Sequence, residues 1–285
     1  MKIGMNLLLY TTAPDESIFP VAEKLKGMGY DGLEWPLFEA NTKMAEKIRA
    51  FNAKTGLDAT TICVLGEGAN PVSDDKGERD AALAALRERI EVSEILGSKL
   101  LCGPVVQTLG HFTGKGPTPT EWSRCVDFLR SAGDIAAKRD VTLVIEYLNR
   151  FEIYMLNTAA DAERMCADVD HPHVKMMVDS FHGNIEEHNL YEAVMAGKKR
   201  LGHVHISEND RGIPGRNQSI QWDDFFRGIK DSGYNGWLTI EAFSQFLPDL
   251  AAAAKIWRRI FDDPDDVCRD GIAFIRGMMK KHGIA

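Results

Sequence analysis

A closed (β/α)8 barrel of the TIM type, in the α/β class, is the fold this sequence predicts, on three observations. Eight short apolar runs alternate strictly with longer amphipathic segments along the chain, the order that gives parallel strands covered by helices. The chain has 285 residues, long for an ordinary domain but the size at which such a barrel closes. Two similar phrases, "GMGYDGLE" and "DSGYNGWLTIE", each place Gly after a helix and restart a strand through Asp-Gly or Asn-Gly, as a helix-to-strand connection requires.

Taken in order, residues 2–7 are the first strand and 18–28 the first helix, followed by strand 32–35 and helix 42–55. Strand 58–63 leads to helix 78–96, strand 99–102 to helix 119–138, and strand 142–147 to helix 159–167. Residues 174–178 read "VKMMV" and continue into "DSFHGN". Such a run buries both faces only in a sheet covered on both sides, so its polar end marks where the sheet meets a site. Helix 190–196, strand 201–206, helix 222–232, strand 238–241 and helix 271–281 complete the series. The two phrases suggest recurring barrel units rather than a duplicated domain. No Pro-, Gly- or Ser-rich linker divides the chain, so one domain is expected over 1–285. The connections 66–76 and 108–119 are longer than usual and are candidate lids over one barrel end. The acidic "FDDPDDVCRDG" is read as a solvated lead into the last helix.

Bulk composition narrows the function. The chain is 44% hydrophobic and 27% charged, with a formal charge of −8 spread among both signs. That balance favours solubility and works against phosphate-rich partners, so no nucleic-acid partner is expected. No apolar stretch approaches the length of a membrane span and no signal-peptide pattern opens the chain, so a cytoplasmic protein without membrane contact is expected. Five cysteines stand far apart with no C-x-x-C pair, which suits reduced, buried thiols.

A reactive site in this fold belongs at the C-terminal ends of the strands. The fifth strand ends in Glu146, the sixth at Asp179, the seventh near His205 and the eighth in Glu241. Converging carboxylates repel one another and resist desolvation unless a cation compensates them. One divalent metal resolves both problems, and this donor set suits Mn2+ first, with Co2+ or Mg2+ as alternatives. His203 shares a face with His205 two residues earlier, and is expected to pack or to support the site from below. Around this centre, Glu152, His182 and Arg211 are polar groups that a sugar-like ligand can use. Cys63, Leu109, Phe112 and Phe243 are candidate pocket walls, each of which simple loop packing would also explain.

These residues resemble the D-tagatose 3-epimerase family, with its D-psicose (D-allulose) and L-ribulose 3-epimerases, within the xylose-isomerase-like TIM barrels. The resemblance covers nearly the whole chain and is strongest in "EYLNRFE", "DSFHGNIEE", "HVHISENDRGIPG" and "GYNGWLTIEAF". It implies that Glu146, Asp179, His205 and Glu241 hold the metal, and that Glu146 and Glu241 form the acid/base pair. It further implies that Glu152, His182 and Arg211 hold substrate oxygens, and that the protein is a homodimer or homotetramer. The chain departs from well-known members in "MNLLLYTTA", which lacks an aromatic residue often found there, and around 64–68.

The implied reaction inverts C3 of a free ketohexose or ketopentose. The pairs include D-tagatose/D-sorbose, D-fructose/D-psicose and L-ribulose/L-xylulose. A proton α to the C2 carbonyl leaves and one returns to the opposite face of a cis-enediolate, which two opposed carboxylates can accomplish. An aldose-ketose isomerase of the same superfamily, hydroxypyruvate-isomerase-like, is the nearest alternative. An apurinic-site endonuclease barrel would draw extra His ligands from earlier strands, whereas here the third and fourth end in Cys63 and in Cys102-Gly103. A non-catalytic sugar-binding barrel is the remaining alternative.

Overall fold

The computed structural model describes all 285 residues. Eight parallel strands close in sequence order, with the last paired to the first. They are β1 (Lys2–Asn6), β2 (Gly32–Pro36), β3 (Asp58–Ile62), β4 (Leu100–Gly103), β5 (Thr142–Glu146), β6 (Val174–Asp179), β7 (Leu201–Ile206) and β8 (Trp237–Ile240). The helices are α1 (Phe19–Met28), α2 (Thr42–Thr55), α3 (Lys76–Leu96), α4 (Pro119–Ala137), α5 (Ala159–Val169), α6 (Ser180–Glu186), α7 (Leu190–Gly197), α8 (Trp222–Ser232), α9 (Pro248–Ala253) and α10 (Pro264–His282).

Side chains alternate across each strand, and this divides the interior in two. Outward residues such as Leu33, Trp35, Leu143, Ile145 and Val178 join the helix faces in one large apolar core. A smaller cluster holds Leu8, Ile62, Leu100, Cys102, Val144, Met177 and Phe243. The register of β6 against β7 shifts between Met176 and Met177, which brings Asp179 opposite His205. Gly103, at the end of β4, has φ +133°, and a Cβ there would lie 2.0 Å from the Cys63 carbonyl oxygen. Only glycine allows β4 to pass the end of β3 so closely.

Three helical features differ from the sequence reading. α6 begins at once after β6, with the Asp179 carboxylate accepting from the Phe181 N–H; about two turns of mostly polar sequence carry too little periodicity to be legible. α9, at six residues, is shorter still. The segment "FDDPDD" is not merely a solvated lead but the start of α10: Asp263 caps it, Pro264 opens it, and Asp265 and Asp266 occupy its first turn. Acidic side chains and proline both favour a helix N-terminus.

Candidate active site

The pleat that divides the interior also assembles the site. Val144 and Glu146, Met177 and Asp179, His203 and His205, and Thr239 and Glu241 are spaced by two, so the apolar or supporting residue sits one layer below the polar one. Glu146, Asp179, His205 and Glu241 are all buried, and each offers a donor atom within 4.8 Å of the others.

The cluster fits a divalent cation on its own terms. Glu146 Oε1 and His205 Nδ1 are buried without any hydrogen-bond partner, a costly state for polar atoms. His205 Nδ1 faces Glu241 Oε1 at 3.5 Å and Asp179 Oδ2 at 3.8 Å. Burial pushes the Glu146 carboxyl well above the usual carboxylate range, and the charge of Glu241 adds to the shift. Burial pushes the Asp179 carboxyl up as well, but Arg211 and His205 prevail and hold it below that range. A cation among these atoms would satisfy the orphaned donors and relieve the repulsion.

Beside this cluster lie the groups suited to substrate oxygens. The Asn149 backbone N–H donates to His182 Nδ1 at 3.1 Å, so that nitrogen carries a lone pair and the ring proton of the neutral imidazole is on Nε2. Burial, then Arg211, pushes the His182 pKa down to about 3, which keeps the ring neutral. Yet His182 Nε2 lies 2.9 Å from Arg211 Nη2, another N–H donor. Both residues line the cavity, where either N–H can turn to an acceptor such as a carbonyl oxygen that gains negative charge. Arg211 Nη1 meanwhile donates to Glu241 Oε2 at 2.7 Å and to Asp179 Oδ2 at 3.1 Å.

Local structure fixes these groups. Arg211 is a non-glycine residue at φ +62°, a strained conformation for a long side chain. Its guanidinium lies between the Phe181 ring, 3.8 Å away, and the Phe243 ring, 4.7 Å away. Its carbonyl accepts from the Phe243 N–H. Asn149 ties the neighbouring loop together, because its side-chain amide donates to Glu152 Oε1 at 2.7 Å.

Glu146, Glu152, His182, Arg211 and Glu241 line one end of a cavity of about 720 Å³, its open mouth included. The rest of the wall is apolar: Leu8, Phe38, Ile62, Val64, Pro104, Leu109, Leu148 and Phe243, closed by Leu250, Ala253 and Ala254 at α9. Of the candidate wall residues, Leu109 and Phe243 are in this lining and Cys63 and Phe112 are not. Ile62 and Val64 face the cavity, so alternation turns Cys63 into the outer core. Phe112 is 46% exposed and lies outside the lining. Of the two long loops, 108–119 supplies Leu109 and 66–76 supplies no lining residue; Thr108 Oγ1 bonds the Ala69 carbonyl and joins them.

Sequence reading also missed two buried polar groups beneath the cluster, Glu34 on β2 and Asn6 on β1. His205 Nε2 lies 2.8 Å from Glu34 Oε1. Asn6 Nδ2 donates to Glu34 Oε1 at 3.1 Å and to Glu241 Oε1 at 3.0 Å. A signal was present: the phrases "GYDGLE" and "GYNGWLTIE" both end in Glu, and only the second was assigned a role. His203 is buried under His205, with Nε2 2.9 Å from Glu34 Oε2.

The model of the family described as "Xylose isomerase-like TIM barrel" matches residues 22–278. An L-ribulose 3-epimerase of Mesorhizobium japonicum is 32% identical over 96% of this chain and 93% of its own. A probable ketose 3-epimerase of Synechocystis is 28% identical over 97% and 96%. The crystal structure of a Methylomonas D-allulose 3-epimerase in complex with D-allulose superposes with a TM-score of 0.91, at 25% identity over 98% of this chain and 97% of that one.

Proposed function

The chain belongs to the ketose 3-epimerase family of isomerases within the xylose isomerase-like TIM barrels, and from that premise we propose that it interconverts C3 epimers of free ketohexoses and ketopentoses. The candidate pairs are D-tagatose/D-sorbose, D-fructose/D-psicose and L-ribulose/L-xylulose. The observation that carries the reading is the meeting of two elements in one cavity: the Glu146 and Glu241 carboxylates, and beside them the His182 imidazole and the Arg211 guanidinium, 2.9 Å apart.

In this reading Glu146, Asp179, His205 and Glu241 hold one divalent cation, Mn2+ by preference, and Glu152 holds a substrate hydroxyl. When bound, the cation supplies Lewis-acid polarisation of the substrate carbonyl, which acidifies the neighbouring C–H. One glutamate takes the C3 proton; the C–H electron pair becomes the C2–C3 double bond, and the carbonyl electrons move onto O2. His182 Nε2–H and an Arg211 N–H stabilise that oxygen. The opposite glutamate, in its acid form, gives a proton to the other face of C3, and the carbonyl re-forms. No redox partner is needed. The two glutamates exchange protonation states and serve the reverse reaction equally.

Exclusion of water from this end falls to the apolar wall, which also leaves few polar groups to recognise distal hydroxyls. Activity on several ketoses follows. Self-association as a homodimer or homotetramer is part of the proposal and is read by analytical ultracentrifugation. The function itself is tested with metal-stripped and Mn2+-reconstituted protein on D-fructose, D-tagatose and L-ribulose, with products separated by chromatography. Metal-dependent 3-epimers support the proposal. Aldose products would make the protein an aldose-ketose isomerase, and no turnover of any sugar would favour a binding barrel.

A further inference from the structure

We propose that Glu34 is a positioning residue for the cation site: its carboxylate fixes the tautomer and angle of His205 and, through Asn6, the rotamer of Glu241. The inference rests on the metal reading above and concerns a residue outside the ligand set. Glu34 is completely buried in the middle of β2, with no solvent to stabilise its charge. It is instead surrounded by donors. Oε1 lies 2.8 Å from His205 Nε2 and 3.1 Å from Asn6 Nδ2, while Oε2 accepts from Thr60 Oγ1 at 2.9 Å and from Cys102 Sγ at 3.3 Å. A carboxylate ringed by donors is held ionised.

The consequence for His205 is geometric. An ionised carboxylate only accepts, so the imidazole proton sits on Nε2 and the lone pair on Nδ1. Nδ1 is the atom facing Asp179 and Glu241, and it has no partner within the protein. A histidine that donates to a carboxylate through one nitrogen and offers the other to a metal is fixed in orientation and made more basic. Asn6 extends the device. The Leu8 N–H donates to Asn6 Oδ1 at 2.9 Å, which leaves the Asn6 NH2 free to span Glu34 and Glu241. A second cation among Glu34, Cys102, His203 and His205 is the competing use of this cluster, but Glu34 already has donors on both oxygens and His205 Nε2 is committed to one of them.

The test compares Mn2+ affinity, by calorimetry, in the parent, Glu34→Gln and Thr61→Val. Thr61 bonds Ser93 and the Leu100 carbonyl and does not touch Glu34, so its variant controls for general loosening of β3. Both variants are expected to lose thermal stability, but only Glu34→Gln to bind Mn2+ about 10–100-fold more weakly. Parent-like affinity in Glu34→Gln, or an equal loss in Thr61→Val, overturns the positioning role while leaving the metal reading intact. A parent that binds no Mn2+ overturns the metal reading, and this inference with it. Should Glu34→Gln fail to fold, Glu34→Asp, which keeps the charge but draws it back from His205, decides by the same measurement: weaker Mn2+ binding supports the role, and parent-like affinity overturns it.

Discussion

Truncating Arg211 separates substrate handling from metal binding. Its guanidinium makes three polar approaches, to Glu241 at 2.7 Å, Asp179 at 3.1 Å and His182 Nε2 at 2.9 Å. Arg211→Ala removes one of the two donors that the proposed mechanism places on the substrate carbonyl. Loss of one such donor costs about 2.7–4 kcal/mol of transition-state stabilisation, or roughly 10²–10³ in kcat. Asp179 and Glu241 also lose the guanidinium, but a bound cation still compensates them, so Mn2+ affinity should not fall. Arg211→Lys keeps the charge without the planar fork held between Phe181 and Phe243, and should recover only part of the rate. The assay is initial rates on D-tagatose and D-fructose at saturating Mn2+, with Mn2+ affinity measured separately by calorimetry. A loss of less than about tenfold in Arg211→Ala would refute the donor argument, and parallel loss of rate and Mn2+ affinity would make Arg211 part of the metal site instead.

Other expectations follow from the same geometry. Glu146→Gln and Glu241→Gln should each abolish epimerisation with Mn2+ in excess; near-normal turnover in either removes that residue from the acid/base role. Chelation should lower the melting temperature, because at about one hundred times the dissociation constant a ligand stabilises the native state by about 2.7 kcal/mol; an unchanged melting curve in EDTA would contradict a resident cation. His182, with its pKa pushed down to about 3, should show no ring titration by NMR between about pH 5 and 8. Its folded pKa lies below the unfolded 6.5, so the unfolded chain takes up the proton first and this contribution to stability declines as pH falls from 6.5 toward 3. An inflection near the unfolded value would refute the burial argument. Val64→Ala should change the ketohexose/ketopentose ratio of kcat/KM by up to ~1–3 kcal/mol equivalent, whereas Phe112→Ala, outside the wall, should leave the ratio alone.

Much of this was legible in the sequence because a parallel barrel repeats one instruction. Each strand is a short, largely apolar run, and the four that lead to Glu146, Asp179, His205 and Glu241 carry a polar side chain where the strand gives out. Legibility failed where position, not residue type, carried the information. Cys63 stands at a strand end like the others, but alternation from Ile62 turns it outward. Glu34 and Asn6 lie on the first two strands, and apart from the phrase ending at Glu34 no pattern in the sequence sets them beside the site; only closure of the barrel brings them beneath His205 and Glu241. The wall at α9 was invisible for a related reason, since six residues give no helical period and the apolar side chains of Leu250, Ala253 and Ala254 gain meaning only by folding over the mouth.

The most direct measurement of the central claim is the position of isotope after turnover of Mn2+-reconstituted protein on D-tagatose in D2O, read by NMR of the isolated product. Deuterium at C3 of a 3-epimer is the predicted result, since proton removal and return both occur at that carbon. Deuterium at C1 or C2 of an aldose, or a 3-epimer formed without solvent label after many turnovers in both directions, would contradict it.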